Sequence, residues 1–142
     1  MEPAFWDSSA LVPLCVVQQA TAAAESLSRK FEIVVWWAAP VEICSAFSRL
    51  LRMGQLTGSG EVQAKAVLDR LRAQWREISP DASLRDQAER LLDRYPLKAA
   101  DALQLAAAMA WCSARPRGRA FLSGDAQLLD AASQLGFQPH RV

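Results

Sequence analysis

The chain has 142 residues, the size of one ordinary domain, and 51% of them are hydrophobic against 22% charged. This composition predicts a single folded domain over residues 1–142 and excludes an intrinsically disordered chain. The formal net charge of +1 excludes a polycationic nucleic-acid binder, although a local basic groove remains compatible with it.

Short apolar runs and helical periodicities alternate along the chain. Strands are predicted at residues 4–6, 32–37, 76–79, 119–123 and 137–142, and helices at 18–30, 38–53, 60–76, 81–95, 97–114 and 126–135. Strands that alternate with helices are typical of parallel sheets with helices on both faces. The sequence therefore predicts an α/β fold of three layers, α/β/α, around a mainly parallel sheet of four to five short strands.

The three cysteines, Cys15, Cys44 and Cys112, are far apart and form no C-x-x-C pair, so neither a disulfide framework nor a zinc site is indicated. We expect core thiols in a reducing compartment. The N-terminus has no basic segment before an apolar run, and no run approaches the roughly 18 apolar residues of a membrane span. The sequence therefore predicts a cytoplasmic protein with no membrane association.

Acidic residues follow the predicted strands. Asp7 comes after the first strand and Asp125 after the fourth, so both are expected at the carboxyl edge of the sheet, where ligands bind in parallel α/β folds. Each residue alone is equally well explained as the N-cap of the next helix.

Glu42 lies in the stretch "APVEICSAFSRLLRMG", beside a core stripe that includes Ile43 and Phe47. Its neighbours on the helix are alanine and serine, which leave room for a carboxylate to face a cavity. The alternative is an exposed first-turn glutamate, which the helix dipole favours.

Asp101 stands in the apolar stretch "LKAADALQLAAAMAWCSA", and a helix that begins near residue 97 would place it among Leu97, Leu105 and Ala108. The alternative starts the helix at residue 101 with Asp101 as its cap. A buried carboxylate must be paired, hydrogen-bonded or bound to a cation. If several carboxylates converge in one pocket, a hard divalent cation can offset their repulsion.

The four stretches "FWDSSALVPL", "PVEICSAFSRL", "LKAADALQLAAA" and "FLSGDAQLLDAA" resemble, in order and spacing, the acidic motifs of PIN-domain ribonucleases. More specifically, they resemble the toxins of VapBC-type toxin–antitoxin pairs, and the resemblance covers nearly the whole chain. It implies that Asp7, Glu42, Asp101 and Asp125 bind Mg²⁺ or Mn²⁺ and hydrolyse RNA phosphodiesters with metal-activated water. Asp7 and Asp101 would be the principal ligands. It also implies an antitoxin partner and, as substrate, an RNA loop such as one of tRNA or rRNA.

The resemblance assigns further residues around the acids. Ser123 matches a position of Thr or Ser, whose hydroxyl is expected to hydrogen-bond a carboxylate or metal-bound water. Gln104 stands where relatives often carry histidine, and Asp130 is expected on the surface. Independently of the resemblance, His140 is the chain's single histidine, which excludes a two-histidine ribonuclease mechanism, and it is predicted to be a surface residue.

Several arginines are candidates for contacts with the phosphates of RNA. Arg115, Arg117 and Arg119 are predicted to contact RNA near the acidic pocket, with a solvated basic loop as the alternative. Arg49 and Arg52, on the helix that carries Glu42, are weaker candidates.

Aromatic and aliphatic residues give two structural predictions. Trp36 and Trp37 are expected in the core on opposite sides of the sheet. The helices at 60–76 and 81–95 carry more apolar surface than one sheet face needs, which predicts homodimerisation and antitoxin docking. The residues concerned are Val62, Val67, Leu68, Leu71, Leu84, Leu91 and Leu92.

Two other functions fit the same acids. One is a catalytically silent PIN-like module that binds RNA or protein. The other is a Mg²⁺-dependent phosphohydrolase with an aspartate nucleophile after the first strand. That chemistry usually needs a second acid two residues on, where this chain has Ser9.

Overall fold

The computed structural model describes all residues, 1–142, as five strands and seven helices. The strands are β1 (Glu2–Trp6), β2 (Phe31–Trp36), β3 (Arg76–Ile78), β4 (Ala120–Ser123) and β5 (Gln138–Arg141). The helices are α1 (Ser8–Cys15), α2 (Thr21–Ser28), α3 (Ala39–Arg52), α4 (Gly58–Arg72), α5 (Ala82–Arg94), α6 (Ala99–Trp111) and α7 (Ala126–Leu135). Every strand and helix predicted from the sequence is present; α7 has the predicted ends, and the ends of the others are shifted.

Helix α1 was not predicted, because Pro13 lies inside it and proline usually ends a helix. The ring nitrogen of Pro13 cannot donate a hydrogen bond to the carbonyl of Ser9. Ser9 is exposed, so water can replace the missing bond. The helix therefore continues to Cys15.

The five strands form one sheet in the order β3-β2-β1-β4-β5, and every neighbouring pair is parallel. The α/β fold with a parallel sheet is thus confirmed. The chain adds β2 and β3 on one side of β1 and then β4 and β5 on the other. The connections therefore diverge between β1 and β4, and a crevice is expected at the carboxyl ends of these two strands.

Helices cover both faces of the sheet, as the three-layer prediction requires. On one face Phe5, Val34 and Phe121 pack against α5, α6 and α7 through Leu84, Leu91, Leu105 and Leu128. On the other face Trp6, Val35 and Leu122 pack against α1, α3 and α4 through Leu11, Ile43, Phe47 and Leu68. The alternation along each strand fixes which side chains face which layer.

Two predictions of burial are wrong. Trp36 is buried at 5% exposure, but Trp37 is 55% exposed because β2 ends at Trp36 and the chain turns away from the sheet. His140 is half-buried on β5 rather than on the open surface, with its ring 5.2 Å from that of Phe31. Burial, with the nearby Lys30, lowers the pKa of His140 below its ordinary value.

Cys112 is buried, and Cys15 and Cys44 are partly buried and unpaired. No helix of the fold combines the length and the apolar character that crossing a bilayer requires.

Candidate active site

The four acids predicted from the sequence line one open pocket of about 620 Å³ at the carboxyl edge of the sheet. Asp7 directly follows β1, and Asp125 lies two residues after β4. Glu42 and Asp101 lie in the first turns of α3 and α6. The structure thus brings together carboxylates that are up to 118 residues apart in sequence, from Asp7 to Asp125.

Asp7 is the most buried of the four, at 5% exposure. It occupies the N-cap position of α1 but makes no capping hydrogen bond. Its Oδ2 instead accepts hydrogen bonds from the hydroxyls of Ser9 and of Ser123, the latter at 2.8 Å. Burial raises the pKa of Asp7 above its ordinary value, the two hydroxyl donors oppose that rise, and the charge of Glu42 adds to it.

Ser123 connects two of the acids. While its hydroxyl donates to Asp7, its Oγ accepts a hydrogen bond from the backbone N–H of Asp125 at 2.9 Å. The Oδ1 of Asp125 caps α7 by accepting from the backbone N–H groups of Gln127 and Leu128, at 2.9 and 3.2 Å. The capping interpretation of Asp125 is therefore correct, yet its Oδ2 has no protein partner.

Glu42 is held by two side chains from other elements. Its Oε1 accepts hydrogen bonds from the hydroxyl of Ser8 at 2.6 Å and from Nε2 of Gln104 at 2.5 Å. Gln104 also donates to the Oγ of Ser8 at 2.9 Å, so the three side chains form a closed triangle. Gln104 is 1% exposed, which fixes this arrangement in the core. The Oε2 of Glu42 remains free of protein partners.

Asp101 is the third residue of α6, which begins at Ala99 after the N-cap residue Lys98. The interpretation of Asp101 as the helix cap is therefore wrong. Its carboxylate makes no hydrogen bond and no ion pair. Burial raises the pKa of Asp101 to about 6, the charges of Asp7 and Asp125 contribute to the rise, and Lys98 partly opposes it.

Sequence reasoning missed the roles of Ser8, Ser9 and Gln104. Ser8 and Ser9 directly follow Asp7 in "FWDSS", so the sequence alone could have indicated that their hydroxyls lie near the acids. For Gln104 the resemblance indicates only that relatives often carry histidine at this position, and it does not predict the hydrogen bond to Glu42. The contact of Gln104 with Ser8 joins residues 96 positions apart, which no local pattern reveals.

The donor set suits a hard cation, because carboxylate oxygens are the ligands that Mg²⁺ prefers. Asp7, Glu42 and Asp125 each keep one oxygen free of protein hydrogen bonds, and Asp101 keeps both. In these side-chain conformations, no three acidic, histidine or cysteine groups surround a single point. Mg²⁺ is commonly held by one or two carboxylates with water in its other positions, so the residues fit such an ion without a closed protein cage.

The arginines predicted near the pocket are not there. Arg115, Arg117 and Arg119 lie in the loop between α6 and β4, before β4 begins, and so at the amino edge of the sheet. Helix α6 starts at the pocket and is about 20 Å long, which separates this loop from the acids. The predicted position is wrong because a helix carries the chain back across the sheet. Arg49 of α3, ranked lower from the sequence, is the basic residue that lines the pocket.

No family model matches the sequence, and neither does any curated protein sequence. Two solved structures share the fold. A chain of VapBC2 from Rickettsia felis, in a crystal structure bound to a DNA fragment from their promoter, is 12% identical with a TM-score of 0.64, covering 96% of this chain and 97% of that one. PAE2754 from Pyrobaculum aerophilum is 18% identical with a TM-score of 0.67, covering 97% of this chain and 89% of that one. The likeness confirms the PIN-like fold that the four acidic stretches predict.

Proposed function

We propose that the protein is a metal-dependent endoribonuclease and the toxin of a toxin–antitoxin pair. One observation carries the proposal: four carboxylates line a single pocket at the carboxyl edge, and none of them forms an ion pair with a basic side chain. The chain's one ion pair joins Lys65 and Glu61, both on α4. Negative charge concentrated in this way needs a cation, which Mg²⁺ or Mn²⁺ would supply.

In this proposal Asp7 and Asp101 are the principal ligands. Asp7 is held in place by Ser9 and Ser123, while Asp101 has no hydrogen bond and can turn to meet the ion. The chemistry that a divalent cation supplies when bound is activation of water and stabilisation of charge on the phosphate.

Glu42 and Asp125 orient the attacking water in this scheme. Each has one oxygen fixed by protein donors and one free oxygen that can accept a hydrogen bond from water. Attack of water on phosphorus with departure of the 3′ oxygen leaves a 5′-phosphate and a 3′-hydroxyl.

The toxin assignment combines the resemblance of the four acidic stretches with the fold that the chain shares with VapBC2. The structure of VapBC2 includes promoter DNA. By analogy we propose that a co-encoded antitoxin binds this chain and that an unpaired loop of tRNA or rRNA is the substrate.

A second candidate is a catalytically silent PIN-like module that binds RNA or protein. It is favoured by the observation that no three acidic groups surround one point. Metal-dependent cleavage separates the two candidates.

The test is cleavage of a mixed pool of tRNA and rRNA by the purified protein in Mg²⁺, in Mn²⁺ and in EDTA. The Asp101→Asn variant removes a proposed ligand at nearly constant volume. Asp130→Asn is the matched control, because Asp130 is exposed on α7 and bonds only to Gln134. We expect cleavage by the wild type and by the control with metal, and a loss of orders of magnitude in Asp101→Asn. Cleavage that persists in EDTA or in Asp101→Asn would contradict the proposal.

A further inference from the structure

Trp37 is unusual among the five tryptophans because it is 55% exposed. Trp6 is fully buried and Trp36 is 5% exposed. Burial of a large aromatic side chain is among the strongest contributions to folding, so an exposed tryptophan often marks a contact with another molecule.

The exposed ring is held in a fixed position. The backbone N–H of Trp37 donates a hydrogen bond to the carbonyl of Ile78, the last residue of β3, at 3.1 Å. Its ring meets the buried ring of Trp36 edge-on, with centroids 6.3 Å apart and an angle of 67° between the planes. A ring that is already ordered loses little conformational entropy when it binds a ligand.

In the sequence, Trp37 lies between residues that line two depressions on the carboxyl edge. Four and five residues after it, Val41 and Glu42 line the acidic pocket. The residue before it, Trp36, lines a second groove of about 400 Å³ together with Pro80, Asp81, Ala82, Arg85 and Leu103. The segment from Trp36 to Glu42 thus contributes to both depressions, and the exposed ring of Trp37 belongs to this segment.

Charge alone holds an RNA strand poorly at this edge. Arg49 is the one basic residue that lines the acidic pocket, and Arg85 is the one that lines the second groove. Neither forms an ion pair, so both are available to phosphates. The pocket's carboxylates repel phosphates, and stacking of a base on an aromatic ring supplies an attraction that does not depend on charge.

We propose that Trp37 is a stacking platform for an unpaired RNA base and holds a single-stranded segment between the acidic pocket and the groove at Arg85. The proposal rests on the proposed function for its choice of RNA as ligand. A base stacked inside a duplex cannot present its face to the ring, so the platform selects single strands.

Equilibrium binding of labelled oligonucleotides tests this proposal without any need for cleavage. The probes are a single-stranded oligoadenylate of about twelve nucleotides, an abasic strand of the same length and charge, and the oligoadenylate in a duplex. Binding is measured in EDTA at several salt concentrations for the wild type, Trp37→Ala and Trp37→Phe. Met53→Ala is the matched control, because Met53 is 59% exposed and follows the far end of α3.

We expect Trp37→Ala to weaken binding of the single-stranded oligoadenylate by about 5- to 150-fold, the range for one stacked base. Trp37→Phe should retain most of the affinity, and Met53→Ala all of it. Binding of the abasic strand should not change. The dependence of affinity on salt should keep its slope, because no charge has been removed.

An unchanged affinity of Trp37→Ala for the oligoadenylate would overturn the proposal, and so would an equal loss on the abasic strand or the duplex. Absence of binding by the wild type, or loss of a protein partner with RNA affinity intact, would also overturn it. Failure of the proposed function is distinguishable: the wild type would then bind single strands through Trp37 but cleave no RNA in Mg²⁺ or Mn²⁺.

Discussion

Asp7 and Asp101 carry the same side chain in two different environments. Asp7 is buried and fixed by two hydroxyl donors, whereas Asp101 is partly exposed and has no hydrogen-bond partner. In both, burial raises the pKa of the carboxyl. In the proposed metal site the pair would combine one rigid oxygen ligand with one adjustable ligand, and in the metal-free protein both carboxyls ionise at a cost.

Removal of the Asp101 charge should relieve that cost. Asp101→Asn deletes a charge near Asp7 and Asp125 at almost constant volume and breaks no hydrogen bond. We expect the melting temperature of the metal-free protein to hold or to rise by a few degrees. Thermal melts in EDTA measure this, with Asp130→Asn as the control. A drop of several degrees in Asp101→Asn would show that the carboxylate stabilises the fold.

The advantage of Asp101→Asn should depend on pH. Because the pKa of Asp101 is about 6 in the folded protein and lower in the unfolded chain, the folded state binds the proton more tightly. Stability from this group is therefore present at low pH and is lost as pH rises through about 6.

Melts of the two proteins in EDTA should thus converge only near pH 4, the ordinary pKa of an aspartate, and should separate as the pH rises through about 6, with the variant more stable at pH 7.5. The comparison cancels the opposite effect of His140, whose lowered pKa makes the folded state more stable as pH rises. A difference in melting temperature that is constant from pH 5 to pH 7.5 would contradict the raised pKa of Asp101.

At this scale the sequence predicted the positions of the acids better than their contacts. Each acid follows a strand or begins a helix, so the pattern alone places it at the carboxyl edge. The bonds of Glu42 to Ser8 and Gln104 depend on side chains 34 and 62 residues away, and no local pattern contains them. The prediction that Trp37 is buried is wrong because β2 ends one residue earlier, at Trp36, and the side chain after the end of the strand faces solvent.

At the level of elements, all four acids lie at helix N-termini. Asp7 and Asp125 occupy the N-cap positions of α1 and α7, and Glu42 and Asp101 lie in the first turns of α3 and α6. The positive end of a helix dipole stabilises a nearby anion by about 0.3–1 kcal/mol. The four helix N-termini therefore offset part of the electrostatic repulsion among the carboxylates in the pocket.

Several of the apolar side chains on α4 and α5 that suggested an excess of apolar surface are in fact buried against the sheet. The two helices pack on opposite faces of the sheet, where Leu68 of α4 and Leu84 and Leu91 of α5 are buried. Val62 remains 70% exposed and Leu92 remains 42% exposed. Homodimerisation through this remaining surface stays a prediction.

We expect the wild type to form dimers in light scattering. The double variant Val62→Asp, Leu92→Asp changes both helices and should be monomeric, because an interface formed by either exposed surface would then bury a charge. Val17→Asp is a control with a 90% exposed residue elsewhere, on the segment that follows α1. A wild type that is monomeric at all concentrations would contradict the prediction.

At the scale of the whole molecule, the four acids and the arginine loop lie at opposite edges of the sheet. The acids line the pocket at the carboxyl edge, and Arg115, Arg117 and Arg119 lie at the amino edge. The alternation of strands and helices was enough to predict the layers and the parallel sheet. The same predicted elements also place the loop before β4 at the amino edge, so the prediction that its arginines lie near the acidic pocket conflicts with the predicted topology.

The central claim is that the four carboxylates form the binding site of a divalent cation, and calorimetric titration with Mn²⁺ near pH 7.5 tests it most directly. We predict saturable binding at pH 7.5, and a second titration near pH 6 should in addition release protons, because Asp101, whose pKa is raised to about 6, must ionise to bind the ion. Binding should be lost or at least about tenfold weaker in Asp101→Asn and unchanged in Asp130→Asn. A wild type that binds no Mn²⁺, or an Asp101→Asn variant that binds it equally well, would contradict the claim.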